Sequence, residues 1–309
     1  MAEPTFNPFV QASREELFIK MGISAASGAG KTLTALKLAK YLSRTNDGKR
    51  NYIALGDSES GRASKYAGQP DVPQFDTVFI GPNSPYKEFR TYHPVETYVK
   101  LITLAEDLGY DVLVLDSLSH AWVGSPGGTF DIKESHTRGK DERSGWRVAT
   151  PIFDKLMEKI IGCQIHLICT LRAKQDYFRD EKKEGGLPSR TGLDPIFRPD
   201  KEYDFDFWTE MDLAHNLYVV KGYDLTDKRY NKPGEDFAND ILDWLRGGSR
   251  DYVYGNGMPV PNHPTTRRIF NEYRTAVGSV AESKEALQSW HTANQERTEA
   301  PINVGDSTE

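Results

Sequence analysis

Ser27-Gly28-Ala29-Gly30-Lys31-Thr32 is the stretch that decides the fold, because it stands between an apolar run and a helical pattern. The run before it, Leu17-Phe18-Ile19-Lys20-Met21-Gly22-Ile23, has the pattern of a buried strand. After it, apolar residues recur at helical spacing, at Ala35, Leu38, Ala39 and Leu42. The stretch matches the phosphate-binding motif G-x-x-x-x-G-K-[ST], with Ala25 in the place of the first glycine.

A strand, loop and helix of this kind bind the phosphates of a nucleotide. Successive backbone N–H groups of the loop point inward at phosphate oxygens, and the helix that begins at Lys31 adds the positive end of its dipole. We therefore predict that Lys31 reaches the β- and γ-phosphates of ATP and that Thr32 ligates Mg²⁺. A chance match in a turn is the alternative, and the flanking strand and helix argue against it. The predicted ATP-binding residues are Ser27, Gly28, Ala29, Gly30, Lys31 and Thr32.

Two acidic residues follow apolar strands at positions where a nucleotide site needs carboxylates. Asp116 ends the predicted strand Asp111–Asp116, directly after the apolar residues Val112-Leu113-Val114-Leu115. In nucleotide sites of this kind, an acid at the end of a neighbouring strand holds Mg²⁺ through water. Glu59 follows the predicted strand Tyr52–Leu55, and hydrolysis needs a base or a water-orienting group near the γ-phosphate. Glu59 is the predicted catalytic residue, and a solvated turn is the alternative.

Strands alternate with helices along most of the chain, which predicts an α/β fold with a mainly parallel sheet covered by helices on both faces. We place this core at residues 16–248, between an N-terminal arm at 1–15 and a C-terminal extension at 249–309 with one helix and an acidic, disordered tail. The further predicted elements are the strands Thr77–Ile80 and Ile165–Thr170, the helices Val95–Leu108 and Ile152–Ile161 (the second with Pro151 at its start), a hairpin from Phe205–Met211 and Leu217–Val220, and a closing helix Asp236–Leu245.

Composition excludes some classes of protein. The 309-residue chain has a net charge of −6, which argues mildly against indiscriminate nucleic-acid binding. Residues 280–309 carry six acids against two basic residues, so −4 of that charge lies in the tail.

No signal peptide or apolar stretch of about 20 residues is present, and Cys163 and Cys169 have the setting of buried free thiols. These features predict a cytoplasmic protein without a membrane partner. The histidines and cysteines show no metal-ligand spacing.

Taken together, the motifs resemble phage-encoded RecA-like ATPases of the AAA group, which includes single-strand-annealing recombinases. The resemblance covers roughly residues 17–248 and rests on the order of the motifs. They are Ile23–Thr32, Asp57-Ser58-Glu59-Ser60-Gly61, Leu113-Val114-Leu115-Asp116-Ser117-Leu118, Gly145–Pro151, His166–Lys174, Glu202-Tyr203-Asp204-Phe205-Asp206 and Tyr218-Val219-Val220-Lys221.

The resemblance implies a RecA-type core, ATP with Mg²⁺ as cofactor, assembly into rings or filaments, and single-stranded DNA as partner, in the cytoplasm of a bacterial host cell. It also implies that Thr170 senses the γ-phosphate and that Lys221 reaches the ATP of a neighbouring subunit. The chain departs from the family pattern two residues after Lys221, where Tyr223 stands in place of a second basic residue.

The segment from Arg172 to Lys201 is the predicted DNA-binding loop. It follows the Thr170 strand and holds eight basic and six acidic residues, a net charge of +2. Tyr177, Phe178 and Phe197 could stack on bases. A solvated lid of mixed charge is the alternative. A second long loop, Ser117 to Ser144, is also basic in part. The candidate DNA-binding residues are Arg172, Lys174, Lys182, Lys183 and Arg190.

Two functions of different classes follow. The first is a recombination ATPase that binds single-stranded DNA under the control of ATP. The second is an ATP-driven switch that acts on protein partners in phage replication, packaging or defence. A metabolite kinase is a weaker third, since no acceptor-binding lid is recognisable. The acidic tail is expected to recruit a partner such as a single-strand-binding protein, or to restrain DNA binding by occupying a basic groove.

Overall fold

The computed structural model describes residues 17–43, 51–139, 141–178 and 189–245, with the backbone alone at 175–178 and 189–193. The predicted N-terminal arm, the C-terminal extension with its helix at 266–276 and its acidic tail, and two of the predicted DNA-binding residues, Lys182 and Lys183, lie outside the described residues.

A mainly parallel sheet forms the centre of the fold, in the strand order β3-β2-β4-β5-β1-β7-β8-β9. The first six strands in that order are parallel, and β8 and β9 continue the sheet antiparallel to their neighbours. This confirms the predicted α/β fold and its C-terminal hairpin. The strands are β1 Lys20–Ala25, β2 Ile53–Asp57, β3 Asp76–Phe79, β4 Val112–Asp116, β5 His166–Phe178, β6 Ser189–Pro195, β7 Phe207–Met211, β8 Asn216–Lys221 and β9 Arg229–Asn231.

Helices cover both faces of the sheet. The helices are α1 Lys31–Leu42, α2 Lys100–Asp107, α3 Ser119–Val123, α4 Thr129–His136, α5 Glu142–Gly162 and α6 Glu235–Leu245. A π-helical turn, Pro94–Val99, leads directly into α2. The apolar sides of α1 and α6 pack on one face, with Leu38 and Phe237 in that core. Those of α2 and α5 pack on the other, with Ile102 and Phe153 in its core.

Strand β1, which carries the phosphate loop, is buried along its whole length. Gly22 allows this close packing, because a Cβ there would lie 2.4 Å from the indole of Trp208. At the start of the strand, the Lys20 ammonium donates hydrogen bonds to the carbonyls of Phe18, Cys163 and Ile165. The loop that follows is thus mounted on a rigid support.

The prediction that a helix starts at Pro151 was wrong. Helix α5 begins nine residues earlier, at Glu142, and Pro151 lies inside it with an exposed side chain. The Asp141 carboxylate provides the start, because it accepts a hydrogen bond from the N–H of Arg143 at 3.2 Å. The prediction of a long loop from Ser117 to Ser144 was also wrong. This segment contains α3, α4 and the first turn of α5.

The segment predicted as a loop after Arg172 is in part a two-stranded arm. The first half of β5 pairs with β4 and β1 in the parallel sheet, and its second half pairs antiparallel with β6, from Ala173–Pro195 to Phe178–Ser189. We call residues 173–178 and 189–195 the β5–β6 arm. The mixed polar sequence hid this extension, because its strands are joined by backbone hydrogen bonds, and such pairing does not require an apolar period in the sequence.

The burial of individual side chains tests the predictions made for Cys163, Cys169 and Phe197. Cys163 and Cys169 are free and buried, as predicted. Phe197 does not face outward for stacking on bases, since it is buried and its ring packs edge-on against Phe153 at 5.5 Å. Within the part of the chain that the structure describes, no helix is both long and apolar enough to cross a membrane.

Candidate functional site

The phosphate loop joins β1 to α1 through two glycines with left-handed backbone. Gly28 has φ +86° and Gly30 has φ +95°, values that side-chain-bearing residues rarely adopt. A Cβ on Gly28 would meet nothing within 4 Å, so the space above the loop is open. A Cβ on Gly30 would lie 3.2 Å from Nδ1 of His215. Both glycines are therefore required by conformation, and the second also by packing.

His215 is a loop contact that the sequence analysis missed. It lies in the turn between β7 and β8, and its Nδ1 is 3.0 Å from the carbonyl oxygen of Ala29, which is buried beneath the loop. The hairpin thus supports the loop from the side. No local motif marks this histidine, because the contact joins positions 186 residues apart.

Lys31 folds back over the loop. Its Nζ donates hydrogen bonds to the carbonyl oxygens of Ala25 at 2.9 Å and Ala26 at 3.0 Å. Burial lowers the pKa of this lysine, while the nearby Asp116 and Glu59 carboxylates act in the opposite direction. Neutral carbonyls are weaker partners for an ammonium group than a phosphate is. The lysine and the open loop therefore fit a nucleotide phosphate.

Asp116 lies beside the loop and is held by two threonines. Thr32 donates from Oγ1 to Asp116 Oδ2 at 2.7 Å, and Thr170, its register neighbour on β5, donates from Oγ1 to Oδ1 at 2.5 Å. Burial raises the pKa of Asp116, and the two hydroxyl hydrogen bonds oppose that shift. Hydroxyl and carboxylate oxygens are the donors that Mg²⁺ prefers, so Thr32 and Asp116 fit the predicted metal site.

Protein side chains alone do not enclose a metal here. Among the described residues, no group of three or more His, Cys, Asp and Glu side chains could hold an ion. That is the expected donor set for Mg²⁺, which usually keeps several waters and takes further oxygens from substrate phosphates. The two-residue site therefore fits a metal that arrives with a nucleotide.

Glu59 is placed by a turn that Asp57 organises. Asp57 is fully buried; its Oδ1 accepts the N–H of Glu59 at 2.7 Å and its Oδ2 accepts the N–H of Ala63 at 3.1 Å. Burial raises the pKa of Asp57, and these backbone donors act against that shift. This role of Asp57 was not predicted from the sequence. An aspartate before small polar residues is typical of a side-chain-capped turn, and that signal could have found it.

The carboxylate of Glu59 forms a two-point ion pair with Arg172. Arg172 donates from Nε to Oε1 and from Nη2 to Oε2, both at 2.6 Å, and Ser117 Oγ donates to Oε1 at 3.2 Å. Burial favours the protonated acid, but the hydrogen bonds and charge of Arg172 outweigh it and the pKa of Glu59 is lowered. The predicted catalytic base is thus paired with a predicted DNA-binding residue.

A polar cluster supports Glu59 from behind. Ser58 Oγ lies 2.6 Å from His120 Nδ1 and accepts the N–H of Ser117 at 2.8 Å. The ring of Tyr92 stacks on His120, with centroids 4.9 Å apart. Burial and the charge of Arg172 lower the pKa of His120, so its neutral form is favoured near pH 7. The cluster ties the β2 turn to the segment after β4.

One cavity of about 970 Å³ collects most of these groups. Ser27, Gly28, Gly30, Lys31 and Thr32 line it, and Ala29 and Thr170 lie buried behind its wall. Lining residues outside the phosphate loop include Glu59, Arg62, Lys65, Tyr66, Asp116, Arg172, Met211 and His215. The cavity brings phosphate loop, metal donors and predicted base together.

Of the remaining predicted site residues, Lys174 and Lys221 are described with their side chains, and neither lines this cavity. Lys221 does not line it; the Lys221 ammonium donates to the carbonyls of Tyr203 and Phe205, each at 2.6 Å. Lys174 is exposed on the β5–β6 arm. Arg190 lies on β6, where the backbone alone is described. The structure therefore adds no contact that tests these three.

The family model described as AAA domain matches residues 17–229. No curated protein shows significant similarity to the chain. Among solved structures, a KaiC-like protein from the hyperthermophilic archaeon Pyrococcus horikoshii is similar at 13% identity and a TM-score of 0.35, over 68% of this chain and 84% of that one.

Proposed function

The chain belongs to the AAA domain family of P-loop ATPases, and from that premise we propose that it hydrolyses ATP to control binding of single-stranded DNA in recombination or strand annealing. A phage origin and assembly into rings or filaments are parts of the same proposal. The arrangement around the 970 Å³ cavity supports the chemistry, and the course of β5 supports the coupling.

The phosphate loop and four residues of the cavity have roles in hydrolysis under this proposal, namely Lys31, Thr32, Glu59 and Asp116. The N–H groups of the loop and Lys31 would hold the phosphates, and Thr32 and Asp116 would hold Mg²⁺. When bound, the metal neutralises charge that develops on the transferred phosphoryl group. Glu59 orients the attacking water and accepts its proton. Tyr66 also lines the cavity, and under the same proposal its ring would contact the base of the nucleotide.

The observation that carries the DNA part is the sequence of side chains along β5. Thr170 hydrogen-bonds Asp116, Arg172 pairs with Glu59, and Lys174 is exposed on the arm. These three residues occupy every second position of β5, so their side chains lie on the same side of the strand. A single rigid strand therefore links the metal site, the predicted base and the arm that carries the predicted DNA-binding residues.

The test measures ATP hydrolysis by the purified protein with and without single-stranded DNA. We expect DNA to increase turnover and Lys31→Ala to abolish it in both conditions. A labelled oligonucleotide should bind more weakly to a variant with alanine at Lys174, Lys182, Lys183 and Arg190. Hydrolysis that ignores DNA, together with no binding of the oligonucleotide, would overturn the DNA part and leave the ATPase.

A switch that acts on a protein partner is the second candidate. It is favoured by Tyr218 and Val220, which are 38% and 50% exposed on the side of β8 opposite its buried Leu217 and Val219. Exposed apolar side chains on a sheet suit contact with another protein. Replacing both by serine should weaken capture of a purified partner or of a second subunit, and should leave ATP binding unchanged.

A further inference from the structure

We propose that Arg172 is a positioning residue that withholds Glu59 from the attacking water until a phosphodiester strand on the β5–β6 arm draws the guanidinium away. This inference rests on the proposed function, because it assigns the regulation of the same ATPase site. It goes further by naming one side-chain pair, here called the Arg172–Glu59 latch, that couples binding of the phosphodiester to ATP hydrolysis.

The geometry of the latch leaves Glu59 little capacity to act as a base. A carboxylate has about four lone-pair sites. Three are occupied, two on Oε1 by Arg172 Nε and Ser117 Oγ and one on Oε2 by Arg172 Nη2. A guanidinium held this closely also stabilises the ionised carboxylate and reduces its affinity for a proton. Water activation therefore requires the latch to open.

Exposure makes Arg172, rather than Glu59, the partner that can leave. The Arg172 side chain is 44% exposed, whereas that of Glu59 is 14% exposed and its backbone N–H is fixed by Asp57. Guanidinium binds phosphate through the same two-point fork that it uses for carboxylate. A phosphodiester near the surface is thus a direct competitor for the Arg172 side of the latch.

The backbone at Arg172 lies where β5 passes from the sheet to the arm. Leu171 is still buried in the parallel sheet, and Ala173 already pairs with Pro195 of β6. The Arg172 N–H donates to Ser119 Oγ at 2.9 Å, and its carbonyl accepts the N–H of Ile196 at 2.7 Å. A displacement of the arm is therefore transmitted to the residue that forms the latch.

Charge on the arm supports a phosphodiester as the releasing ligand. Lys174 is exposed two residues after Arg172, on the same side of the strand. A phosphodiester strand can contact both Lys174 and Arg172 when the latch is open. In the closed latch the Arg172 guanidinium is paired with Glu59 instead. This difference in affinity between the two states is what a ligand needs to shift an equilibrium.

The test uses Arg172→Gln in the full chain, with ATP turnover measured in the absence of DNA. We expect turnover to rise about tenfold or more, because the variant loses two charge-assisted hydrogen bonds to Glu59 and each corresponds to about tenfold or more. The affinity for a fluorescent ATP analogue should stay close to that of the wild type. Single-stranded DNA should add little further stimulation. Turnover equal to or below that of the wild type, with nucleotide affinity retained, would overturn the proposal.

Three further variants serve as controls for the glutamine variant. Arg198→Gln breaks an arginine–carboxylate pair of the same chemistry with Asp154, away from the cavity, and should leave turnover unchanged. Arg172→Lys keeps the positive charge but lacks the two-point guanidinium fork, and its turnover should lie between those of the wild type and the glutamine variant. This variant provides the test if Arg172→Gln folds poorly. Combining Arg172→Gln with Glu59→Gln should abolish the gain, because the gain acts through Glu59.

The outcomes separate this inference from the proposed function. If DNA stimulates the wild type and Arg172→Gln shows wild-type basal turnover, the latch is wrong and the DNA-linked ATPase stands. If DNA neither binds nor stimulates but Arg172→Gln is activated, the pair restrains Glu59 and the phosphodiester is the wrong releasing ligand.

Discussion

Three carboxylates around the phosphate loop differ in their surroundings, and these differences fit the separate roles proposed for them. Asp57 is buried and its oxygens accept backbone N–H groups, so it shapes a turn. Asp116 is buried against two hydroxyls and faces the site where Mg²⁺ fits. Glu59 alone among the three is matched with a positive side chain. The geometry around each group, rather than its residue type, distinguishes the supporting role of Asp57 from the metal-binding and proton-transfer roles proposed for Asp116 and Glu59.

The pH dependence of hydrolysis is predicted to change when the latch is removed. Burial alone would raise the pKa of Glu59, and Arg172 brings it below its usual value. In Arg172→Gln that lowering is lost, the pKa rises, and the carboxylate becomes protonated at a higher pH as the solution is acidified. The acid limb of the turnover profile should therefore move to higher pH than in the wild type. Coincident profiles would show that Glu59 does not titrate in the rate-limiting step.

Asp57→Ala is predicted to affect both stability and turnover. It leaves the N–H groups of Glu59 and Ala63 without their acceptor in a buried site, at a cost of about 1–3 kcal/mol in the free energy of unfolding. Turnover should fall more than ATP affinity, because the turn that aims Glu59 is released. Urea denaturation and a fluorescent ATP analogue measure the two effects. Asp57→Asn, which keeps one acceptor oxygen, should lie between the alanine variant and the wild type.

At the scale of elements, the β7–β8 hairpin does more than extend the sheet. Its turn places His215 against the carbonyl of Ala29, and Thr209 of β7 donates to the carbonyl of Gly22 on β1. The hairpin therefore supports both the strand and the loop of the phosphate site. This shows how a late segment of the chain affects a motif near its start.

His215→Ala is predicted to weaken ATP binding. The variant removes the side chain that approaches Ala29 and so loosens the loop without touching a phosphate-binding group. We expect the dissociation constant for an ATP analogue to rise about fivefold to tenfold, the loss of one ordinary hydrogen bond. Asn231→Ala, which removes a hydrogen bond to Asn216 on the same hairpin, is the matched control and should have little effect. Equal affinity in the histidine variant would show that the loop needs no such support.

At the scale of the whole molecule, the predicted role of Lys221 depends on assembly. Within one subunit the ammonium is bound to two carbonyls, and it lies apart from its own cavity. If it reaches the ATP of a neighbouring subunit, turnover per subunit should rise with protein concentration in the wild type. Lys221→Ala should remove that rise and leave ATP binding at low concentration intact. Turnover that is independent of concentration in both proteins would contradict the predicted finger.

The acidic tail gives a second prediction at this scale. Residues 280–309 carry a net charge of −4, opposite in sign to the predicted DNA-binding residues. If the tail competes with DNA for a basic groove, removing residues 279–309 should increase affinity for a labelled oligonucleotide, most strongly at low salt. Unchanged affinity at low salt, with lost capture of a single-strand-binding protein, would favour recruitment instead.

The sequence by itself determined the class of fold and the identity of the main groups. A strand, a glycine loop and a helix are neighbours in the chain, and their backbone requirements are local. The acids at Asp116 and Glu59 follow apolar strands, so their shared edge of the sheet could be predicted from strand order alone. These features need only a few consecutive residues, which is why a single sequence shows them.

Only the tertiary structure decided which of these groups touch. Glu59 and Arg172 are 113 residues apart, and they meet because β4 lies between β2 and β5 and the strands end at one edge. The arm likewise depends on a partner strand, which leaves no apolar period in the sequence. Long-range pairing is set by how the whole core packs, and no local pattern encodes it.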